Sequence, residues 1–257
     1  ERMKKTDPIP KPPLFEGILS VRALLSAYDS GFNNRHIEKI LYSPLRKSKN
    51  PKEYAYLCHR AEERGFSIEL IPEEELSRLA VGNSHGGILA VATEREYPPL
   101  TALTLPPKGF YILMEGLEDP FNFGYSLRSV YAAGCDGVIL PGIRRNGADG
   151  TVCRSSAGAS EYLPIYMAQP EDCLHFFQKW GYRVVCADQP NSVSVYESDL
   201  KKPLLLIVGG EKRGITRELL DRCDQIVRLD YGRDFCAALS AASAATVLAF
   251  EVLRQNR

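Results

Sequence analysis

No stretch of this sequence reaches the roughly 18 consecutive apolar residues of a membrane-spanning helix. The opening Glu1-Arg2-Met3-Lys4-Lys5 runs into Pro8-Ile9-Pro10-Lys11-Pro12-Pro13 without the apolar centre of a secretory signal. A cytoplasmic protein with no membrane partner is expected. Net charge is absent as well, since 32 Lys and Arg balance 32 Asp and Glu, which excludes a protein that coats nucleic acid by bulk electrostatics. Local patches remain, Arg2, Lys4, Lys5 and Lys11 at one end and Arg144-Arg145 further on, each readable as phosphate-neutralising or as plain solvated surface. Cysteine pairing is missing too. The residues Cys58, Cys135, Cys153, Cys173, Cys186, Cys223 and Cys236 are odd in number, and no two stand at the short spacing of a zinc knuckle or redox pair, so reduced thiols and no metal are expected. Internal repeats and low-complexity blocks are also lacking.

What is present suits two domains. The chain has 257 residues, 44% of them hydrophobic and 25% charged, enough for two separate cores in an ordinary globular protein. Residues 1–13 read as a flexible tail and 14–96 as a small α/β domain. Within it, helix signals run from Ser20 to Ser30 and from Pro51 to Arg64, where Pro51 suits a first turn, and from Pro72 onward, where Glu73 to Glu75 sit at the positive helix end. Apolar runs at Ile37 to Tyr42, Phe66 to Ile71 and Gly87 to Ala92 supply its strands. Proline-rich residues 97–108 read as a semi-rigid linker. From 109 to 257, short apolar runs at Phe110 to Met114, Gly137 to Leu140, Pro164 to Met167, Arg183 to Ala187, Leu204 to Val208 and Ile226 to Leu229 are separated by helical stretches. That pattern predicts a mostly parallel sheet covered on both faces. The alanine-rich Ala237 to Gln255 predicts a long closing helix.

Ligands of parallel α/β sheets sit beyond the carboxyl ends of the strands, so the loops there carry the functional reading. After Met114 comes Asp119-Pro120-Phe121-Asn122-Phe123-Gly124-Tyr125-Ser126-Leu127-Arg128, in which Asn122 reads either as a helix N-cap or, with Arg128, as part of a site for an anionic or polyhydroxylated ligand. After Val208 comes Gly209-Gly210-Glu211-Lys212-Arg213-Gly214. This is no P-loop, because that motif needs Gly-Lys followed by Ser or Thr, whereas Gly214 precedes Ile215-Thr216. It is no dinucleotide fingerprint either, because Glu211 replaces the second glycine. An acid there suits a cationic or adenosine-like ligand. A third loop, Tyr231 to Ser240, leads into the small-residue helix.

In order, Asp-Pro-x-Asn-x-Gly-x-x-x-Arg (Asp119 to Arg128), Arg154-Ser155-Ser156-Ala157-Gly158-Ala159 leading to Leu163-Pro164, and Gly-x-Glu-x-x-Gly (Gly209 to Gly214) with Cys223-Asp224 downstream resemble the SpoU/TrmH branch of the SPOUT RNA methyltransferases over about Phe110 to Arg257. Residues near Glu16-Gly17 and Ser84-His85-Gly86-Gly87-Ile88 make the first domain resemble the ribosomal-protein-L30e-like substrate-binding domain of longer members. The resemblance implies a C-terminal trefoil-knotted α/β domain, a homodimer, S-adenosylmethionine as cofactor, and 2′-O-ribose methylation of structured RNA, with 23S-type rRNA expected before tRNA. It also implies that Gly209, Gly210, Leu229 and Leu239 contact the cofactor, with Gly214 shaping the turn. Asn122 and Glu211 would shape the catalytic site, Arg128 would meet the ribose 2′-hydroxyl, and Ser240 would stand in the catalytic loop. A guanidinium is ordinarily protonated to above ~12, so Arg128 serves as base only with a strongly lowered proton affinity, and as orienting anchor otherwise.

Two departures stand out. Ala237-Ala238-Leu239-Ser240 replaces the usual Ser-Leu-Asn and its preceding glutamate, and Leu229-Asp230-Tyr231 replaces Ile-Pro-Met. Asp230 reads as a solvated turn residue or as an altered adenine pocket. The departures motivate an alternative, an RNA-binding paralogue without turnover. In the first domain, His85 with Asn83 and Ser84 reads as structural or RNA-contacting, and Phe32 and Tyr42 read as core before base-stacking platforms.

Overall fold

The short apolar runs become strands and the intervening stretches helices in a computed structural model that describes residues 12–82, 85–142, 148–189, 191–210, 214–234 and 236–257. The basic residues Arg2, Lys4, Lys5, Lys11, Arg144 and Arg145 lie outside them, as do Asn83, Ser84 and Glu211. The first half runs β1 (Leu14–Glu16), α1 (Gly17–Asp29), β2 (Ile37–Tyr42), α2 (Pro44–Lys49), α3 (Pro51–Arg64), β3 (Ser67–Leu70), α4 (Glu73–Leu79) and β4 (Ile88–Ala92). Its sheet has the order β1-β4-β2-β3, with β4 antiparallel to both neighbours and β2 parallel to β3. Helix α3 starts on Pro51 and stops where Gly65 turns left-handed at φ 73°. Phe15, Leu24, Ile40, Tyr42, Leu57 and Ile88 are buried in one core, which Cys153 of the second half also enters.

The second half runs β5 (Phe110–Met114), α5 (Pro120–Ala132), β6 (Gly137–Leu140), α6 (Asp149–Ser155), α7 (Ala159–Tyr162), β7 (Ile165–Met167), α8 (Pro170–Lys179), β8 (Arg183–Ala187), β9 (Val193–Ser194), β10 (Leu204–Val208), α9 (Arg217–Arg222), β11 (Gln225–Arg228) and α10 (Ala241–Gln255). The seven strands lie in the order β7-β6-β5-β10-β8-β11-β9, and every pairing is parallel. Side chains alternate along each strand. Phe110, Ile112 and Met114 pack with Leu127, Val130, Leu248 and Val252 of α5 and α10. Tyr111 and Leu113 face the other way, toward Leu174 and Phe177 of α8 and Leu219 of α9. No helix among the described residues is long and apolar enough to cross a membrane.

Three local expectations change. The helix expected from Ala237 starts at Ala241, because the Ser240 hydroxyl accepts the Ser243 N–H at 3.1 Å and caps it there. Asn122 is not the cap of α5. Asp119 is, its carboxylate accepting the Asn122 N–H at 2.7 Å with Pro120 in the first turn, so Asn122 lies inside the helix. The proline-rich 97–108 does not span open space. Pro98 accepts the Met167 N–H at 2.9 Å, and Leu100 is buried in the core beneath α8.

Candidate active site

Two loops at the carboxyl edge of the large sheet offer backbone rather than side chains. Beyond β10, the Gly214 N–H donates to the Gly210 carbonyl at 3.0 Å and closes the turn. A Cβ on Gly210 would overlap the carbonyl of Gly116, so this turn lies directly on the backbone that follows β5. Gly209 is half-buried, Gly210 buried and Gly214 exposed. Beyond β11, Leu229 is half-buried against the core. Cys236 to Leu239 are exposed and make no backbone-to-backbone hydrogen bond with another described residue. The Leu239 N–H donates to the Tyr231 hydroxyl at 3.2 Å. Because β8 separates β10 from β11, the two loops leave the sheet about 10 Å apart, the width a nucleoside can bridge.

Side chains near these loops have plain roles. Asp230 is exposed and takes the Arg228 Nε at 3.0 Å, while Arg228 also donates to the Ser192 carbonyl, so it is a paired turn residue. Asp224 accepts the Val184 N–H at 2.7 Å and joins the start of β11 to β8, which places that strand one residue earlier than the apolar run suggests. One Glu115 carboxylate oxygen is buried without a hydrogen-bond partner. Burial, with Glu171 adding a smaller push, raises its pKa above the usual carboxylate value.

Helix α5 carries the other predicted residues. Asn122 is half-buried, whereas Arg128 is exposed and makes no hydrogen bond or ion pair with a described residue. The structure thus gathers Gly209, Gly210, Gly214, Leu229, Leu239 and Ser240 along one edge, while Arg128 makes no hydrogen bond or ion pair with them. Gly124 lets α5 settle on α6, since a Cβ there would overlap the Ser155 side chain. Arg154 of the same block donates to Glu16 at 2.6 Å, and Glu16 also accepts the N–H groups of Val81 and Gly82. Two of the signature blocks are therefore held against each other and against the first sheet.

A buried charge cluster between the halves escaped the sequence reading. Arg35 donates to both Glu161 oxygens at 3.1 and 3.2 Å and pairs with Asp149 at 3.2 Å, and Arg35 and Glu161 are each only 2% exposed. Burial works to lower the Arg35 pKa, but Glu161 and Asp149 outweigh it and hold the guanidinium above its ordinary value. Arg95 donates to the carbonyls of Ser160 and Leu163 at 2.6 and 2.9 Å, and burial pulls its pKa down. A lone arginine in sequence looks like surface charge. Only the partners, more than 60 residues away, mark these as internal.

In the first half, His85 is buried, its Nδ1 accepting the Gly87 N–H and its Nε2 bonded to the Ser77 hydroxyl, so it serves structure. Tyr42 is core, but Phe32 is exposed and meets Tyr162 edge-on, which departs from the expected burial.

Both halves of the chain resemble known proteins. The model of the SpoU rRNA Methylase family matches residues 109–250, and the model described as RNA 2′-O ribose methyltransferase substrate binding matches 16–98. The chain is 28% identical to the 23S rRNA (guanosine-2′-O-)-methyltransferase RlmB of Shewanella oneidensis, over 99% of this chain and 100% of that protein. It is 29% identical to the RlmB of Photorhabdus laumondii, over 93% and 97%. A crystal structure described as an RNA 2′-O ribose methyltransferase superposes with TM-score 0.73 at 25% identity, covering 94% of this chain and 88% of that one. The AdoMet-bound rRNA methyltransferase of Sinorhizobium meliloti shares the fold, with TM-score 0.76 at 24% identity over 95% and 87%. Since the first family model spans more than half of the sequence, the chain belongs to the SpoU rRNA methylase family.

Proposed function

We propose that this chain transfers a methyl group from S-adenosylmethionine to a ribose 2′-oxygen of structured RNA, ribosomal RNA in the first place, in the cytoplasm. The observation that carries the reading is the pair of backbone-lined loops about one nucleoside apart at the edge of a parallel sheet. Two features fit that cofactor. The exposed backbone groups of Cys236 to Leu239 suit the polar edge of an adenine, and the half-buried Glu115, one carboxylate oxygen of which is buried without a hydrogen-bond partner and whose own carbonyl lies against Gly210, suits a cation. Bound there, S-adenosylmethionine supplies a methyl group already activated as a sulfonium.

The chain's own work is then placement. Gly209, Gly210, Leu229 and Leu239 hold the adenosine through backbone groups, and Gly214 shapes the turn. Asn122 and Glu211 shape the acceptor side. Arg128, exposed and uncommitted among the described residues, orients the ribose and its phosphate. Ser240 fixes where the cofactor loop ends by capping α10. A homodimer lets the exposed Arg128 of one copy serve the cofactor loops of the second. Phe121 and Tyr125 of α5 and Val247 and Phe250 of α10 are exposed on the same side of the sheet and suit such an interface.

One contact favours a second reading. The Tyr231 hydroxyl occupies the Leu239 N–H assigned to adenine, as in a paralogue that binds RNA without turnover. Labelled methyl transfer to total RNA from cells lacking the protein, with the label mapped, tests both. Label on a ribose 2′-oxygen supports the enzyme. Absence of label together with absent cofactor binding in calorimetry sinks it and leaves the paralogue. Sedimentation of the full chain tests the dimer, and a monomer at all concentrations would overturn that assignment.

A further inference from the structure

The segment 149–163, which carries α6 and α7, is gripped from two sides. On the side of the first half the grip is made of buried charge and close backbone. Arg35 is tied to its own half through the Thr93 carbonyl at 3.0 Å, and it reaches both Asp149, the first residue of α6, and Glu161 of α7. Asn33 donates to the Glu161 carbonyl at 2.8 Å, and Arg95 takes the carbonyls of Ser160 and Leu163. A Cβ on Gly150 would overlap the Leu14 carbonyl, and one on Gly158 would overlap the Ala23 side chain, so α6 and α7 lie directly on β1 and α1. The linker adds a further tie, because Pro98 accepts the Met167 N–H of β7.

The same segment also carries α5. A Cβ on Gly124 would overlap the Ser155 hydroxyl, and Tyr131 stacks on Tyr162 with ring centroids 6.0 Å apart. Gly124 and Tyr131 bracket Arg128 in sequence, and Gly124 stands two residues after Asn122, so the acceptor side of the site rests on this segment. The cofactor loops leave β10 and β11, which β5 and β6 separate from β7 in the sheet.

We propose that the first half is a positioning part of the catalytic site. Arg35 and Arg95, acting through residues 149–163, set the angle of α5 and thereby the aim of Asn122 and Arg128 at the acceptor ribose. Buried charge fits that role. A guanidinium shared by two carboxylates need be no more stabilising than packed apolar side chains, but its rigid fork fits one arrangement of its partners. The half that matches the substrate-binding family model then does more than grip RNA, because its orientation decides how fast the gripped nucleotide reacts. The kinetic consequence rests on the methyltransferase reading, whereas the mechanical link is measurable without turnover.

Variants of the full chain address the two sides of the segment. Arg35→Lys keeps the charge but cannot span Glu161 and Asp149 with one fork. Gly124→Ala favours helix by itself and forces α5 off Ser155. Each should lower kcat about 10-fold, with KM for RNA and calorimetric affinity for S-adenosylmethionine unchanged. Arg95→Lys, the milder variant, should show the same pattern at about 3-fold. Because both sides act through one contact, Arg35→Lys combined with Gly124→Ala should lose far less than the about 100-fold to which independent effects multiply. In methyl-labelled NMR without substrate, Arg35→Lys and Arg95→Lys should move the Leu127 signals of α5 and leave those of Leu219 in α9, in the core on the other face of the sheet, in place. A raised KM at unchanged kcat would make the first half a mere tether and overturn the proposal. Fully multiplying effects, Leu127 signals that stay put, or cofactor affinity lost in Arg95→Lys as well as Arg35→Lys would overturn it too. A wild-type chain that methylates no RNA would sink the reaction proposed above, and the Leu127 response would still decide whether the first half sets α5.

Discussion

The two ends of one sheet edge are built from different materials. At β5, β6 and β7 the contacts are made by side chains, with Gly124 under Ser155, Arg154 on Glu16, and Arg35 between Glu161 and Asp149. At β10 and β11 they are made by backbone, through the turn at Gly209–Gly214 and the exposed run to Leu239. Side-chain contacts fail when one residue type changes, whereas backbone contacts tolerate any residue that keeps the chain's path. The departures at Ala237, Ser240 and Asp230 all fall on the backbone side. They stand where substitution perturbs least.

The sharpest way to break that contrast is Glu161→Ala. It leaves Arg35 buried with half of its counter-charge, and chemical denaturation should show a loss of about 3–5 kcal/mol. By comparison Ala237→Glu, on the exposed loop, should stay within ~0.5 kcal/mol of wild type. Equal effects would dissolve the distinction. Next in size, Arg128→Ala should lower methyl transfer at least ~100-fold while leaving S-adenosylmethionine affinity near normal, because the arginine belongs to the acceptor side. Loss of cofactor binding in that variant would put Arg128 among the cofactor contacts.

Glu115, just beyond β5 and with its carbonyl against Gly210, tests where the two ends meet. Its pKa is raised by burial first and by Glu171 second. Cofactor affinity should therefore fall as pH drops through that raised value, where the carboxylate gains a proton and the bound cation loses its counter-charge, and recover above it. An ordinary glutamate would show the same fall only near pH ~4.3. In Glu115→Gln the calorimetric affinity should be weaker and flat across the same range. A wild-type profile that is flat there would remove Glu115 from the cofactor's surroundings.

Strand positions were legible because burial on both faces writes itself as continuous apolar runs. Phe110–Met114, Gly137–Leu140, Arg183–Ala187 and Leu204–Val208 coincide with the runs end to end. The helix Pro51–Arg64 was equally plain from its proline start. Elements held by one or two distant bonds were not. β1 is three residues long and β9 two, too short for any period to register. Asn122 looked like a cap because Asn caps helices well, but Asp119 followed by proline does so better. In the site, glycines and Arg128 stood out by motif, whereas Arg35, Arg95, Asp149 and Glu161 acquire meaning only when the fold buries them together.

The smallest effect bears on the most conspicuous departure. Ser240 stands where the resemblance places an asparagine, and it still accepts the Ser243 N–H as the cap of α10. Serine and asparagine are nearly equivalent caps, and alanine is a poor one. Ser240→Asn should leave thermal stability and cofactor affinity within error of wild type. Ser240→Ala should cost about 1 kcal/mol in denaturation, and it should loosen cofactor binding to the same modest degree, because the uncapped helix frays back into the loop that ends at Leu239. If Ser240→Asn instead raises methyl transfer severalfold at unchanged stability, the carboxamide does chemistry that a hydroxyl cannot. The backbone-built end of the sheet would then depend on one side chain after all.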